Sequence, residues 1–552
     1  MDRRRPVSAL VGVVLLSACT SGEGVDQRSP IEQTKTVAHA GWFESACSLP
    51  IEQLRRIRRG YVPRRSPDVT VVPREPNFFG SFSNTTHSGP WDYLQSVPLV
   101  FYGPGFIKEQ GRIDLDREVT VADLAPTIAE LVDAPFPSNR SGRPITEALV
   151  PPDQRPGAPA LVLTVVWDGG GTNVLQQWPR AWPFLRSLMR KGTSVDATVG
   201  SSPSVTPAIH TTIGSGAFPR QHGIVSIEMR DGAKLVKSFG ESTPNYLEVP
   251  SLADIYDLST GNRAMIGMFA EKNWMLGMVG HGAHLPGGDK DIAVMMAESG
   301  SRLHSNETWY SLPAYVNDVP GFEDLLRQVD IEDGEADGLW LDRDTLTDLA
   351  ETPKSPAWVL HQTKIVKEVL AREDFGADEV GDLFFVNYKQ IDHWGHLFNM
   401  LGPEVQGTIR YTDAALKDLV RFMNRRIGRN RWVVAVTADH GQTPLSDGTR
   451  AWPIDMRYLQ RSMAKHFSVS AAKLFQGERP NGFWLHGKTM KRAGLTTEDV
   501  ARFLFGYRLR DNIAGKARVP AMYTDRRKSR LFAAAFPSNE LDRIWRCARS
   551  RS

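Results

Sequence analysis

Short, unbroken apolar runs alternate with longer mixed stretches through most of the chain. Leu161-Val-Leu-Thr-Val-Val-Trp167 has strand length and is rich in β-branched residues. Ala264–Phe269, Leu383–Tyr388 and Trp432–Thr437 repeat the pattern. Runs without polar alternation predict strands buried on both faces. Helical patterns lie between them, as at 408–425 and after Thr206. The alternation predicts an α/β fold, a mostly parallel central sheet with helices on both faces, plus a smaller cap region. Val97–Tyr102 is a further buried strand, running into the turn Gly103-Pro-Gly105. Thr120-Val-Ala-Asp123 is a variant capping box that opens an amphipathic helix through about Val132. Residues 150–160, rich in Pro, read as a linker. There is no internal repeat.

Composition narrows the class without naming it. The chain has 552 residues, 41% hydrophobic and 23% charged, which excludes collagen-like, disulfide-dense and wholly disordered proteins and leaves room for a large core. A net charge of +3 gives no reason to expect a nucleic-acid partner. The N-terminus reads as an export signal, with basic Asp2-Arg-Arg-Arg5 before apolar Ala9–Leu16. That apolar run is shorter than the roughly 20 residues that span a bilayer. It ends in Leu16-Ser17-Ala18-Cys19, which resembles a bacterial lipobox. On this reading residues 1–18 are removed, Cys19 carries lipid, residues 19–45 form a tether, and the protein is extracytoplasmic and held to the membrane by its anchor alone. The two other cysteines, Cys47 and Cys547, are then the one possible disulfide pair in an oxidising compartment. Three cysteines are too few for a thiolate metal site.

In parallel sheets, ligands bind beyond the carboxyl ends of the strands, so chemistry is sought there. Four places stand out. Asp168 follows the run 161–167 directly and precedes three glycines; Asp before Gly is also ordinary turn chemistry. Thr206-Pro207 follows Ser202-Pro-Ser-Val, placing Thr206 at a helix N-terminus, where it serves either as an N-cap or near a bound anion. Asp392 and His396 are four apart, on one face of a helix, with His393 pointing elsewhere. Asp439-His440-Gly441 follows the run 432–437; the adjacent pair suits one ion or two.

Together and in this order, these pieces resemble the alkaline phosphatase superfamily, especially its type I phosphodiesterase/nucleotide pyrophosphatase branch. The matching pieces are Asp168-Gly, Thr206 within Ser-Val-Thr-Pro-Ala-Ile-His-Thr-Thr-Ile-Gly-Ser-Gly, His222-Gly-Ile, Asp392-x-x-Gly-His396 and Asp439-His440-Gly. The resemblance covers roughly residues 60–145 and 160–445. It implies two Zn²⁺ ions, with Mn²⁺ or Fe as alternatives, and a phosphorylated Thr206 intermediate. Asp168, Asp439 and His440 would hold one ion beside Thr206; Asp392, His396 and one more His would hold the other. Paired ions stabilise the attacking and leaving oxygens of an in-line displacement at phosphorus.

The chain also departs from the family pattern. No Asn follows His222-Gly223, where relatives often place one to bind a phosphate oxygen. The Lys-x-Arg clamp of the monoesterases is matched only by Lys272-Asn273-Trp274, so the Arg is absent. Lys272 and His281 are the candidates for substrate contact. Loss of the clamp favours diesters or nucleotide pyrophosphates over a broad phosphomonoesterase. A sulfatase lacks its motif here, and a non-catalytic ligand-binding lipoprotein has no need of the intact ligand set. The last metal His of the family lies after Asp-His-Gly, where this chain has only His466 and His486; His486, the alternative ligand, is not followed by the expected strand and helix. The expected pattern stands instead at Thr85-Thr-His87-Ser-Gly89, before the strand 97–102. This implies a circular permutation, with residues 46–149 as the displaced C-terminal part of the core, 161–444 the main core and 445–552 the cap. His87 is then the missing ligand.

Overall fold

A computed structural model describes residues 41–551, apart from 82–83, 298–299, 301, 349, 446–447 and 514–516. The signal, Cys19 and most of the tether lie outside the described residues. No helix among the described residues is long and apolar enough to cross a membrane.

The centre is a nine-stranded sheet. Its strands are β1 (Ser96–Tyr102), β2 (Gly111–Arg112), β3 (Leu161–Trp167), β4 (Thr193–Thr198), β5 (Ile266–Ala270), β6 (Ile292–Met296), β7 (Leu303–His304), β8 (Asp382–Tyr388) and β9 (Trp432–Thr437). The spatial order is β7-β6-β5-β8-β3-β9-β1-β4-β2. The run from β6 to β9 is parallel, while β1 lies antiparallel between β9 and β4. The unbroken apolar runs of the sequence are β3, β5, β8 and β9, and β3, β8 and β9 are buried at every position. Alternate side chains serve opposite faces. Val162, Val166 and Phe385 pack with Ile209, Ile213 and Tyr256 on one face. Leu163, Val165 and Val386 pack with Val366, Val369, Leu416 and Leu419 on the other. This is the expected α/β architecture, with helices covering both faces.

Thr120 and Asp123 form the expected capping box, and the helix it opens reaches Val132. The linker 150–160 holds only a short 3-10 turn, Pro152–Gln154, before it enters β3.

A second, smaller sheet has the order Phe475–Arg479, Gly482–Leu485, Val69–Pro73 and Phe532–Pro537. Its core combines Leu54, Ile57, Val69 and Val71 with Phe483, Leu504, Phe532 and Ile544. The stretch 46–149 therefore divides in space. Its first part completes the C-terminal module, and only the part from about Thr85 onward serves the large sheet. The same module is closed covalently: Cys47 and Cys547 form a disulfide with Cα atoms 5.7 Å apart.

Candidate active site

Strand register brings the candidate residues to one level. Tyr388 pairs with Trp167 and Thr437 with Val166, so β3, β8 and β9 end side by side. Asp168, Lys389 and the pair Asp439-His440 emerge from those ends. Because β1 runs the other way, its N-terminal end lies at the same edge, and the segment leading into it, which carries His87, reaches the same place. Thr206 is the first residue of the helix Thr206–Ser215. Asp392 and His396 lie on the helix Gln390–Phe398. Gly169 fits this convergence because it adopts φ +73°, and a Cβ there would stand 2.9 Å from Asp392 Cα.

The imidazoles are oriented for coordination. His87 Nδ1 bonds the Ser204 carbonyl at 2.8 Å, His440 Nδ1 the Gly441 carbonyl at 3.0 Å, and His396 Nδ1 the Thr85 carbonyl. Each ring thus donates from Nδ1 and presents an Nε2 lone pair, the usual outer support of a metal-bound histidine. His87 and His440 stack face to face, ring centres 3.4 Å apart. Burial, with His440, His396 and Lys389 close by, holds His87 well below its ordinary pKa. Burial also lowers His440.

The carboxylates crowd around them. His87 Nε2 is 3.6 Å from Asp392 Oδ1, and His396 Nε2 is 3.4 Å from the same oxygen. His440 Nε2 is 3.3 Å from Asp439 Oδ2 and 3.6 Å from Asp168 Oδ1. Burial and then Asp439 and Asp392 push Asp168 up. Burial, joined by Asp392 and opposed by Lys389, pushes Asp439 up to about 7. Burial works against ionised Asp392, but Lys389 and the three imidazoles hold it well below the carboxylate range.

Among the described residues, three groups of donors have the spacing of a metal site; two of them are here, His87, Asp392 and His440, and Asp168, Asp439 and His440, while the third, Asp257, Asp289 and Asp291, is all carboxylate. The chemistry of the first two fits divalent ions such as Zn²⁺, carboxylate oxygens with imidazole nitrogens. Among the described residues, Asp392 Oδ1, Asp439 Oδ2 and His440 Nε2 are buried without a hydrogen-bond partner. Buried lone pairs facing each other across 3–4 Å need a cation between them. His440 belongs to both groups, whereas the sequence reading gave it to one.

The other residues singled out in the sequence have partners of their own. His281 is tied to Asp254, by its Nδ1 at 2.9 Å and its backbone N–H at 2.7 Å, and its Nε2 lies 3.3 Å from the Leu247 carbonyl. Lys272 pairs with buried Glu271 at 3.1 Å, and His393 bonds Glu271 at 2.7 Å, pointing away from the ligands as anticipated. His222 bonds Thr212 within the helix packing. Sequence reading missed Asn387, whose Nδ2 lies 3.0 Å from Asp168 Oδ2 and 2.9 Å from His210 Nε2. It also missed Lys389, whose position at the end of a buried apolar run was the available signal.

A model of the type I phosphodiesterase/nucleotide pyrophosphatase family matches residues 162–493, more than half of the chain. The chain belongs to that family. It is similar to the alkaline phosphatase PafA of Elizabethkingia meningoseptica, 34% identical over 109 residues that make up 19% of each chain. It is also similar to the alkaline phosphatase PhoV of Synechococcus elongatus, 24% identical over 307 residues, 47% of this chain and 54% of that one. The chain thus spans about half, or less, of the length of these curated relatives. The crystal structure of PafA matches with a TM-score of 0.48 at 19% identity, covering 63% of this chain and 76% of that one.

Proposed function

We propose that this protein hydrolyses phosphoric esters through a phosphorylated Thr206. The observation that carries the reading is the meeting of Thr206 with two donor groups at the ends of β3, β8 and β9. One ion would be held by Asp168, Asp439 and His440 beside Thr206, the other by Asp392, His396 and His87. Bound there, two divalent ions supply Lewis-acid neutralisation of charge on the phosphoryl group and leaving oxygen. The protein's own steps are these. Thr206 passes its hydroxyl proton to water, and its Oγ bonds phosphorus as the bond to the leaving-group oxygen breaks, that oxygen taking up a proton from water. A water oxygen then bonds phosphorus as the bond to Thr206 Oγ breaks, a proton from that water restores the hydroxyl, and the phosphoryl product leaves. The N-terminal N–H groups and dipole of the helix 206–215 favour the anionic substrate.

For the ester class, the reading is a phosphodiester or nucleotide pyrophosphate. Trp274 stands in the segment where a monoesterase clamp has its second cation, and Lys272 is already paired with Glu271. A phosphomonoester is the second reading, supported by similarity to the two alkaline phosphatases. Rates on p-nitrophenyl phosphate and bis-p-nitrophenyl phosphate decide between them. For Thr206→Ala, turnover is expected to fall by several orders of magnitude with metal content retained, while Thr206→Ser keeps some activity. Near-normal turnover in Thr206→Ala would end the phospho-threonine reading.

The circular permutation and the lipid anchor belong to the same proposal. The antiparallel β1 and the approach of His87 to Asp392 support the first. The lipobox-like Leu16–Cys19 and the Cys47–Cys547 bridge, which suits an oxidising compartment, support the second. Palmitate labelling of cells expressing the protein, lost in Cys19→Ser, tests the anchor.

A further inference from the structure

We propose that Lys389 is a third, protein-borne cation of the centre, which shares the carboxylates with the metals and acts on the nucleophile as a catalytic residue. It follows the last residue of β8 directly and precedes the helix Gln390–Phe398, so the backbone delivers it between the two donor groups rather than to their rim. Its side chain is 3% exposed. All three ammonium donors are used. Nζ lies 2.7 Å from Asp168 Oδ1, 2.6 Å from Asp392 Oδ2 and 3.1 Å from Thr206 Oγ. The first two bonds join a carboxylate of one group to a carboxylate of the other. The third reaches the reacting atom of the proposed mechanism.

Burying an ammonium is costly unless it is paired and fully bonded. Asp168 and Asp392 meet that need, and a lysine that only neutralised them would have no use for Thr206. An ammonium donates and never accepts. Thr206 Oγ therefore receives this bond on a lone pair, leaving its own proton free to depart. The same donor stabilises Oγ as an alkoxide, both when it attacks and when it leaves in the cleavage of phospho-Thr206. A phosphoryl group on Oγ places its outer oxygens one bond further out, within reach of the same charge. The Trp274 ring, 6.0 Å from Nζ, closes one side of the ammonium.

The consequence has opposite signs for metal and chemistry. A fixed positive charge beside the shared carboxylates repels divalent ions and attracts the phosphoryl group. Removing it should tighten metal binding and slow turnover. A lysine that merely buttressed the carboxylates would, when removed, loosen the metals as well as slow the reaction. The role at Oγ rests on the Thr206 reading; the effect on metal affinity does not.

The test uses the full-length protein stripped of metal. Zn²⁺ affinity is measured by competition with a chromogenic chelator, and kcat is measured at saturating Zn²⁺ on both nitrophenyl esters. In Lys389→Met, Zn²⁺ should bind at least about tenfold more tightly, while kcat falls by about 100-fold or more. Lys389→Gln, which removes the charge but keeps a donor, should tighten Zn²⁺ binding with a smaller loss of kcat; it also serves if the Met variant fails to fold. Unchanged or weaker Zn²⁺ binding overturns the proposal, as does a kcat close to the parent's. Active Thr206→Ala with tighter Zn²⁺ binding in Lys389→Met would discard the nucleophile and the catalytic role while leaving the third cation standing. Inactive Thr206→Ala without that tightening would discard the third cation alone.

Discussion

Single residues bear much of this site's strain and charge. Gly169 sits at positive φ with Asp392 Cα and the Gln442 side chain where a Cβ would go. Gly169→Ala should push the helix that carries Asp392 away from Asp168. Lower metal content and a loss of activity of about tenfold or more are expected, because sub-ångström placement governs such chemistry; metal analysis and kinetics check both. Asp257 presents a different case. Burial, then the like charges of Asp289 and Asp254, raise it to about 7 from an ordinary 3.8. A carboxyl whose folded pKa is raised favours the native state while it is protonated. That contribution is present below about pH 4 and is lost as pH rises through about 7. Asp257→Asn should therefore melt higher than the parent at pH 8, with the difference shrinking towards pH 4, as thermal denaturation across that range would show. Equal gains at both pH values would contradict the charge origin.

Among the elements, β1 matters most to the site. Its antiparallel run beside β9 turns the preceding segment towards the carboxyl ends of the parallel strands. Ser204 Oγ donates to the His87 carbonyl at 2.7 Å, and the His87 ring bonds the Ser204 carbonyl in return. The loop before Thr206 and the loop bearing His87 are thus fastened together. His87→Ala should retain the fold, because the loop's backbone contacts remain, but lose about one equivalent of metal on dialysis, since a ligand and its oriented lone pair are gone. Mass-spectrometric metal counting with a circular dichroism control tests this; two retained equivalents would count against His87 as a ligand.

On the scale of the whole molecule, the C-terminal module is completed by the N-terminal residues 41–79 and bolted by Cys47–Cys547. That module also touches the site: Asn481 Nδ2 donates to the Ser88 carbonyl at 2.6 Å and to Ser202 Oγ at 3.2 Å. The bridge closes a separation of 500 residues. Cys547→Ser should cost about 2–4 kcal/mol of stability, seen as a lower Tm, and the same fall should follow reduction of the parent with dithiothreitol. A Tm indifferent to both would mean that packing alone holds the two ends.

The sequence determined the large sheet and most of the candidate ligands because both depend on local features. A continuous apolar run is buried on both faces wherever it sits, and an acidic or imidazole side chain at its end reaches the carboxyl edge of the sheet. Asp168, Asp439 and His440 were legible for that reason, Asp392 and His396 through their spacing on one helix face, and Thr206 through its place before Pro207 at a helix start. His87 was legible only through the resemblance and its characteristic surroundings, since nothing local ties it to residues some 300 positions away. Tertiary structure alone decided three things. It divided the stretch 46–149 between two sheets, because pairing of Val69–Pro73 with Gly482–Leu485 and Phe532–Pro537 is a long-range choice. It withdrew His281 to Asp254, a partner that no spacing announces. It turned Lys389 inward, because only the assembled trio of carboxylates makes a buried ammonium stable.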